Sequence, residues 1–257
     1  MKITVLVENT SEYGLPAEHG LSLYIETGEK KILFDTGQAV LFADNAEKLG
    51  INLADVDLAV ISHGHYDHGG GLSRFLSENS KAPVYINRHA FEPHYNAEGK
   101  YIGLDISLKD SERLIYTNDT EEICNGITLY SCNNKTTDFK IDSSGLTMMQ
   151  DGKILAEDFR HEQYLLVNEC EKNVLISGCS HKGILNIVSW FRPDVLIGGF
   201  HFMNISPGEQ LVSYAQTLDS CNTVYYTCHC TGTAQYNFMK QYMKNLHYIS
   251  AGQIINI

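Results

Sequence analysis

The sequence lacks any uninterrupted apolar run close to the ~18 residues of a membrane-spanning helix. Its first stretch, MKITVLVENT, also lacks the basic segment and the long apolar run of a signal peptide. Low-complexity linkers and short repeats do not occur, and 257 residues suffice for one large domain or two small ones. We therefore expect a soluble, cytoplasmic globular protein that does not insert into a membrane.

Basic residues are scarce. The chain has 19 Lys and Arg against 31 Asp and Glu, a formal net charge of −12, and no cluster of positive side chains. Binding to a phosphate backbone needs a basic surface, so nucleic acid is not an expected partner. A small anionic substrate is still compatible with this composition, because a bound metal ion would supply positive charge locally.

Seven cysteines are present. An odd number in a chain without an export signal favours free thiols over a disulfide framework. Most of them are predicted to be small core residues. Cys179, Cys228 and Cys230 lie beside histidines in the sequence, which makes these three candidates for metal ligands or for groups that pack behind ligands.

Strand-like segments such as KITVLVEN, DLAVISH and DVLIGGF alternate with helix-like segments such as GGLSRFLSEN and KGILNIVSWF. Several of these pairs are typical of βαβ units with buried, branched strands, whereas others resemble hairpins. The pattern predicts a mixed sheet in preference to a purely parallel one.

The stretch SHGHYDHGG places three histidines and one aspartate within six positions: His63, His65, Asp67 and His68. The preceding DLAVIS predicts a buried strand, so the first two histidines lie on the turn after it, and the aspartate and third histidine open the next helix. Loops at the carboxyl ends of strands are where open sheets place ligand sites. Imidazole and carboxylate together suit zinc, iron or manganese, so we expect a metal site here.

This stretch resembles the HxHxDH signature of the metallo-β-lactamase superfamily, and the likeness extends beyond it. FDTG at 34–37, GCSH at 178–181 and CHCTG at 228–232 lie where that superfamily has further site residues. Together with EHGLS at 18–22 and GGFH at 198–201, they resemble one branch of it. That branch contains the dihydropterin–ribofuranosylaminobenzene phosphate synthase of methanopterin biosynthesis and many metal-dependent hydrolases.

The resemblance spans essentially the whole chain and implies an α/β protein with the metallo-β-lactamase fold. That fold is a four-layer αββα sandwich, in which two mixed β-sheets lie face to face with helices outside. We accordingly expect a single domain over residues 1–257, made of two similar halves that meet near residues 120–130. The metal ions would lie at one edge of the sandwich.

The resemblance also implies a ligand set, matched residue by residue. His63 and His65 match the pair on the first ion, whereas Asp67, His68 and His229 match the ligands of the second. In GCSH, Cys179 takes the place of the superfamily's bridging aspartate by count. His181 lies two residues further on. We favour His181 as the ligand, since it completes a three-histidine set, and expect Cys179 to pack beneath the site.

Four more side chains are assigned to the surroundings of the ions or to the substrate pocket. Asp35 is expected to orient a metal-bound histidine, as carboxylates behind metal ligands commonly do. His161 is open between a ligand, a substrate contact and a surface residue. His201, and less strongly His19, are expected to face the pocket. The remaining histidines, His89, His94 and His247, are interpreted as partly exposed polar residues.

Two divalent transition-metal ions per chain are expected, with Zn²⁺ preferred and Mn²⁺ or Fe²⁺ as alternatives. They would activate a water for hydrolysis of a small anionic phosphoester, ester or lactone, while Asp67 orients that water or carries a proton. The branch also implies a transferase that joins a pterin pyrophosphate to an arylamine ribotide. A redox diiron enzyme is disfavoured, because His65 stands where such relatives have glutamate, and a non-catalytic metal sensor is a further alternative.

Overall fold

The computed structural model describes residues 1–257 and contains 17 strands and six α-helices. The strands up to the middle of the chain are β1 (Lys2–Val7), β2 (Ser22–Glu26), β3 (Lys31–Phe34), β4 (Leu58–Ile61), β5 (Val84–Asn87), β6 (His94–Tyr95), β7 (Leu114–Thr117), β8 (Thr120–Cys124) and β9 (Ile127–Tyr130). The later strands are β10 (Thr147–Gln150), β11 (Lys153–Ala156), β12 (Tyr164–Glu169), β13 (Lys172–Ile176), β14 (Val195–Gly198), β15 (Val224–Thr227), β16 (Leu246–Tyr248) and β17 (Ile254–Asn256). The helices are α1 (Leu41–Lys48), α2 (Tyr66–Gly69), α3 (Leu72–Glu78), α4 (Ile184–Phe191), α5 (Glu209–Asp219) and α6 (Thr233–Met239).

Two seven-stranded sheets form the centre of the molecule. The first has the order β17-β1-β2-β3-β4-β5-β7, and the second has the order β16-β15-β14-β13-β12-β9-β8. Each sheet is antiparallel at one end and parallel at the other: β3, β4, β5 and β7 run parallel, as do β13, β14, β15 and β16. The prediction of mixed sheets is thus confirmed.

Side-chain alternation along the strands produces the layers. In β1, Ile3 and Val5 belong to a buried apolar cluster made by residues of both sheets, whereas Leu6 packs with Phe42 of α1 and Phe75 of α3. Successive side chains of a strand point to opposite faces, so a continuous apolar strand must be covered on both sides.

The second sheet is covered in the same way. Val195 and Ile197 of β14 face the first sheet, and Leu196 between them packs with α4, α5 and α6. The order helix, sheet, sheet, helix confirms the expected αββα sandwich. The longest helix, α5, has 11 residues, and no helix has the length and apolarity needed to cross a membrane.

A third, three-stranded sheet has the order β11-β10-β6. Its short strand β6 pairs with β10 through Thr147 opposite Tyr95 and Met148 opposite His94. This sheet fixes His94 in a buried position.

The motif loops follow the carboxyl ends of strands that lie next to one another. Asp35 follows β3, the histidine-rich stretch follows β4, GCSH follows β13, GGFH ends β14, and CHCTG follows β15. Four residues directly in these loops, Asp35, Ser180, His201 and His229, have positive φ angles of 61°, 60°, 56° and 49°. Non-glycine residues rarely adopt this conformation, and it concentrates at functional sites, where the surrounding packing maintains it.

The histidine-rich stretch differs from its prediction in one detail. Asp67 and His68 lie in a separate four-residue helix, α2, and do not open the longer α3. The chain between the two helices passes close to the loop after β3. A Cβ atom on Gly70 would lie 2.3 Å from the carbonyl oxygen of Gln38, and one on Gly71 would lie 2.3 Å from that of Ala39. Close backbone packing therefore interrupts the helix at these glycines.

The helix-facing core should contribute strongly to stability. Phe75 is completely buried between α3 and the first sheet, so Phe75→Ala should lower the free energy of unfolding by about 3–5 kcal/mol through lost burial and cavity formation. Tyr13, which is 55% exposed, gives a control: Tyr13→Ala should change stability by less than about 0.5 kcal/mol. Urea unfolding at matched metal content measures both, and equal effects would contradict this view of the core.

Candidate metal centre

The predicted ligands meet at one edge of the sandwich and are all buried. His63, His65, Asp67 and His68 approach His181 and His229, although these last two are more than 100 residues away in sequence. The Nε2 atoms of His63 and His181 are 3.3 Å apart, and those of His68 and His229 are 3.2 Å apart. The ring centroids of His65 and His181 are 5.0 Å apart. The fold therefore brings the six predicted ligands close together.

Hydrogen bonds on the far side of three rings determine which nitrogen faces the centre. Asp35 Oδ2 accepts from His68 Nδ1 at 2.7 Å and from Ser62 Oγ, also at 2.7 Å. Because the Ser62 hydroxyl donates its hydrogen bond to Asp35, the Ser62 oxygen accepts a hydrogen bond from His63 Nδ1 at 2.8 Å. Both neutral rings then carry their proton on Nδ1 and present the lone pair of Nε2 to the centre.

His229 is held in the same way from the end of β1. Its Nδ1 lies 2.7 Å from Asn9 Oδ1, and its backbone N–H donates to Glu8 Oε1 at 2.6 Å. Glu8 also accepts from the hydroxyl of Tyr248 at 2.8 Å. Sequence reasoning missed Glu8 and Asn9. The feature that could have indicated them is a pair of polar residues directly after the buried strand β1, at the same sheet edge as the motif loops.

Two nitrogen lone pairs therefore face each other across 3.2 Å between His68 and His229. Two acceptors at this distance repel unless a cation lies between them, either a proton or a metal ion. The ligands of one zinc ion, each ~2.0–2.1 Å from it, lie at most ~4 Å apart. The spacing of both histidine pairs fits that limit.

Burial keeps most of these imidazoles uncharged. Desolvation lowers the pKa of His63, His65 and His181 well below the ordinary value, and it lowers the pKa of His229 to about 4. His68 differs, because the charges of Asp35 and Asp67 outweigh its burial and raise its pKa. Neutral imidazole is the form that binds metal ions, so the site is prepared for cations at neutral pH.

Donor atoms form three groups around this centre. Within each group, one ligand atom of every residue lies within 4.8 Å of the others. The groups are His63, Cys179 and His181; His68, Cys179 and His229; and His19, Asp67 and His229. Cys179 thus lies among the donors together with His181, because the left-handed conformation of Ser180 between them turns both side chains towards the centre.

A fourth donor group lies behind His65 and contains residues that the sequence did not single out. It consists of His65, His94, Glu157 and His161, all buried, again with donor atoms within 4.8 Å of one another. The interpretation of His94 as partly exposed is wrong: its side chain is fully buried, and its Nδ1 is 2.8 Å from Glu157 Oε2. The turn before β6 gave no periodic pattern from which this burial could be inferred.

His161 is buried, which excludes the surface alternative for this residue. Its Nδ1 accepts from the backbone N–H of Gly64 at 2.8 Å, so a neutral ring carries its proton on Nε2, 3.3 Å from Glu157 Oε1. Burial lowers the pKa of His161 to about 4. This arrangement leaves neither nitrogen with a free lone pair, so His161 supports the histidine loop in this state.

The loop that carries His181 has its own buried support. Glu162 Oε1 accepts from the backbone N–H of His181 at 2.7 Å, and Oε2 accepts from the N–H of Lys182 at 3.0 Å and from the hydroxyl of Tyr164 at 2.5 Å. The ammonium of Lys182 in turn donates to the carbonyl of Ser131 at 2.6 Å. These buried polar groups were not predicted. They are satisfied by one another, which fixes the backbone on which His181 stands.

The centre opens into a cavity of about 590 Å³. His181 and His201 line it, together with Phe139, Lys140 and Tyr214. His201 therefore faces the cavity, as expected. His19 is half exposed on the other side of the centre, with its Nε2 3.2 Å from Asp67 Oδ2. A second cavity, of about 510 Å³, lies between α4 and α5 and contains none of the motif residues.

Comparison with known proteins identifies the family. Residues 15–180 match the sequence profile described as "Metallo-beta-lactamase superfamily". The chain belongs to the metallo-β-lactamase superfamily. The resemblance inferred from HxHxDH and the later loops is thereby confirmed.

Relatives within the superfamily cover nearly the whole chain. An uncharacterised protein of Methanocaldococcus jannaschii is 30% identical, over 99% of this chain and 100% of its own length. From the same organism, the 7,8-dihydropterin-6-methyl-4-(β-D-ribofuranosyl)-aminobenzene-5′-phosphate synthase is 30% identical, over 99% of this chain and 96% of its own length. A solved structure, described as a metal-dependent hydrolase of the β-lactamase superfamily, is 28% identical with a TM-score of 0.85, and covers 100% of this chain and 99% of that one.

The facing lone pairs predict metal content. Protein purified without chelator should contain zinc, iron or manganese, at about two ions per chain after reconstitution. Elemental analysis by mass spectrometry measures this. A folded protein that stays free of metal after reconstitution with all three ions would contradict the prediction.

Substitution of a single ligand should remove one proposed ion and leave the other bound. His63→Ala and His229→Ala should each remove roughly one ion per chain, since each ring faces a different donor group. Stability of the metal-free protein should change much less than occupancy, because the sheets hold the loops. His247→Ala, an exposed histidine on β16, is the control and should keep full occupancy. If both centre variants bind as much metal as this control, the ligand assignment is wrong.

Proposed function

We propose that the protein is a metal-dependent hydrolase with a dinuclear centre that acts on a small anionic substrate, a phosphoester, ester or lactone. The observation that carries this proposal is the cluster of buried donors in which the Nε2 lone pairs of neutral His68 and His229 face each other across 3.2 Å. We assign the first ion to His63, His65 and His181, and the second to Asp67, His68 and His229.

The donor chemistry fits borderline transition ions. Imidazole nitrogens predominate, with one carboxylate and a nearby thiol. This mixture suits Zn²⁺ best, and also Fe²⁺ or Mn²⁺, whereas Mg²⁺ and Ca²⁺ prefer oxygen ligands throughout. Asp35 would act behind His68, where it fixes the tautomer that leaves Nε2 free.

Two bound ions would supply a water of lowered pKa and positive charge for the oxyanion that develops during attack. Asp67 is placed to handle that water. Its Oδ2 lies 3.3 Å from His229 Nε2 and 3.2 Å from His19 Nε2, and its side chain is 12% exposed. Burial alone would raise the pKa of Asp67, but the neighbouring imidazoles of His68, His19 and His229 hold it well below the ordinary range. An ionised Asp67 can orient a water or accept its proton.

The cavity supports an anionic substrate of modest size. Its volume of about 590 Å³ suits a small molecule, and Lys140 and Asp142 are the charged residues among those that line it. Aromatic side chains, Phe139 and Tyr214, line the same cavity and could contact an apolar portion. With a net charge of −12, the protein as a whole repels anions, so the local cations must recognise the substrate.

A transferase is the second candidate. It is favoured by the 30% identity with the dihydropterin synthase over 99% of this chain. In this alternative the same ligands would position a pterin pyrophosphate, whose diphosphate leaves as an arylamine ribotide attacks. Asp67 would then face the nucleophilic partner instead of a water.

An activity comparison distinguishes the two candidates. Zinc-, iron- and manganese-loaded protein is incubated with phosphodiesters, esters and lactones, and separately with a pterin pyrophosphate plus an arylamine ribotide. The hydrolase proposal predicts turnover in the first set that falls by roughly 10²-fold or more in Asp67→Asn. The exposed His247→Ala variant should retain it. Condensation of the pterin without turnover of the first set would favour the transferase and overturn hydrolysis.

A further inference from the structure

Cys179 occupies a distinctive place in the centre. It belongs to two of the donor groups, one with His63 and His181 and the other with His68 and His229. Its Sγ lies 3.1 Å from His68 Nε2, and the side chain is 3% exposed. A single sulfur atom is thus close to the donors of both proposed ions.

The backbone around Cys179 delivers the sulfur to this point. A Cβ atom on Gly178 would lie 2.2 Å from Ser62 Oγ, so only glycine allows the loop after β13 to approach the histidine-rich loop this closely. Ser180 then adopts a φ of 60°, which turns the chain so that Cys179 and His181 both face His63. Close approach and a left-handed turn together place thiol and imidazole on the same centre.

We propose that the Cys179 thiolate bridges the two metal ions, so that sulfur takes the role expected of a carboxylate at this position. This inference rests on the dinuclear centre of the proposed function and adds a ligand to it. Two ions that are each ~2.3 Å from one sulfur can lie ~3.5–4 Å apart, the spacing of two-metal sites.

Binding in this mode exchanges a proton for two metal–sulfur bonds. The S–H bond of Cys179 breaks, its proton leaves to solvent, and the electron pairs of sulfur bind the ions. Without metal, the Cys179 thiol lies 3.1 Å from His68 Nε2 and can donate a hydrogen bond to it. A bound ion would displace that proton, since a coordinating thiol is deprotonated.

The bridge narrows the choice of ions. A soft thiolate together with imidazoles favours Zn²⁺ or Fe²⁺ over Mn²⁺, which prefers oxygen ligands. A bridging carboxylate would not impose this preference. A bridging sulfur in place of a bridging oxygen should therefore change which metal ions the protein retains.

X-ray absorption at the zinc edge tests the bridge directly. Fully loaded protein should show, on average, about one sulfur scatterer per zinc at ~2.3 Å beside nitrogen and oxygen at ~2.0–2.1 Å. About half a sulfur per zinc would mean that Cys179 binds one ion only and would overturn the bridge. Cys179→Ala should lose the sulfur signal and bind at least one ion roughly tenfold more weakly. Cys179→Asp, which restores a carboxylate, should lose the sulfur signal but keep two ions. The control is Cys230→Ser: this neighbouring thiol donates to the Cys179 carbonyl at 3.4 Å and belongs to none of the donor groups, so the signal should persist.

The outcomes separate this inference from the proposed centre. Two zinc ions with no sulfur scatterer in the unaltered protein would overturn the bridge and leave the dinuclear centre in place. A sulfur signal that survives Cys179→Ala but not Cys230→Ser would transfer the ligand role to Cys230 and equally overturn it. Failure of the unaltered protein to bind zinc would contradict the centre itself. If Cys179→Ala does not fold, Cys179→Asp still tests the bridge through loss of the sulfur signal at full occupancy.

Discussion

The repulsion between buried nitrogen lone pairs is the interaction on which the site depends. Asp35, Ser62 and Asn9 accept the outer protons of three histidine rings and so force their inner nitrogens to be acceptors. Burial then opposes protonation, because it disfavours charge on most of these rings. A metal ion between these nitrogens would remove the repulsion. The outer hydrogen bonds therefore determine the chemistry of the centre as much as the ligands themselves do.

The rest of the fold stabilises the protein against the repulsion between these buried nitrogens. Each motif loop follows the carboxyl end of a strand whose residues are buried on both faces, so the rigid sheets, and not the loops, carry the stability. Non-glycine residues in left-handed conformation, such as Asp35 and His229, occur where these loops turn back towards the centre. Such conformations persist only when their surroundings over-determine them. Here the determinants are buried carboxylates: Glu8 holds the backbone of His229, and Glu162 holds that of His181.

The sequence was informative where chemistry and periodicity coincide. Apolar strands followed by histidine, aspartate or glycine predicted a mixed sheet with a metal site at the carboxyl ends of its strands. The αββα layers and the six proposed ligands were implied by the resemblance to the superfamily. The sequence was uninformative about partners that depend on tertiary distance. Glu162 and Glu157 look like ordinary surface carboxylates in the chain, and only the packed structure shows them buried. His94 was misjudged for the same reason, because its burial comes from pairing of a two-residue strand with β10.

Dependence on tertiary structure also explains why the sequence alone could not decide between Cys179 and His181 as the ligand in GCSH. Residues two apart point the same way on a regular strand, but this segment has already left β13, and its direction depends on the φ angle of Ser180. With Ser180 left-handed, the alternatives cysteine or histidine are no longer exclusive, since both reach His63. In the proposed centre, a cysteine in place of an aspartate would preserve the negative charge of the bridge while it exchanges a hard donor for a soft one. The loop after β13 would then change which ions the centre prefers without changing the layers that position its other donors.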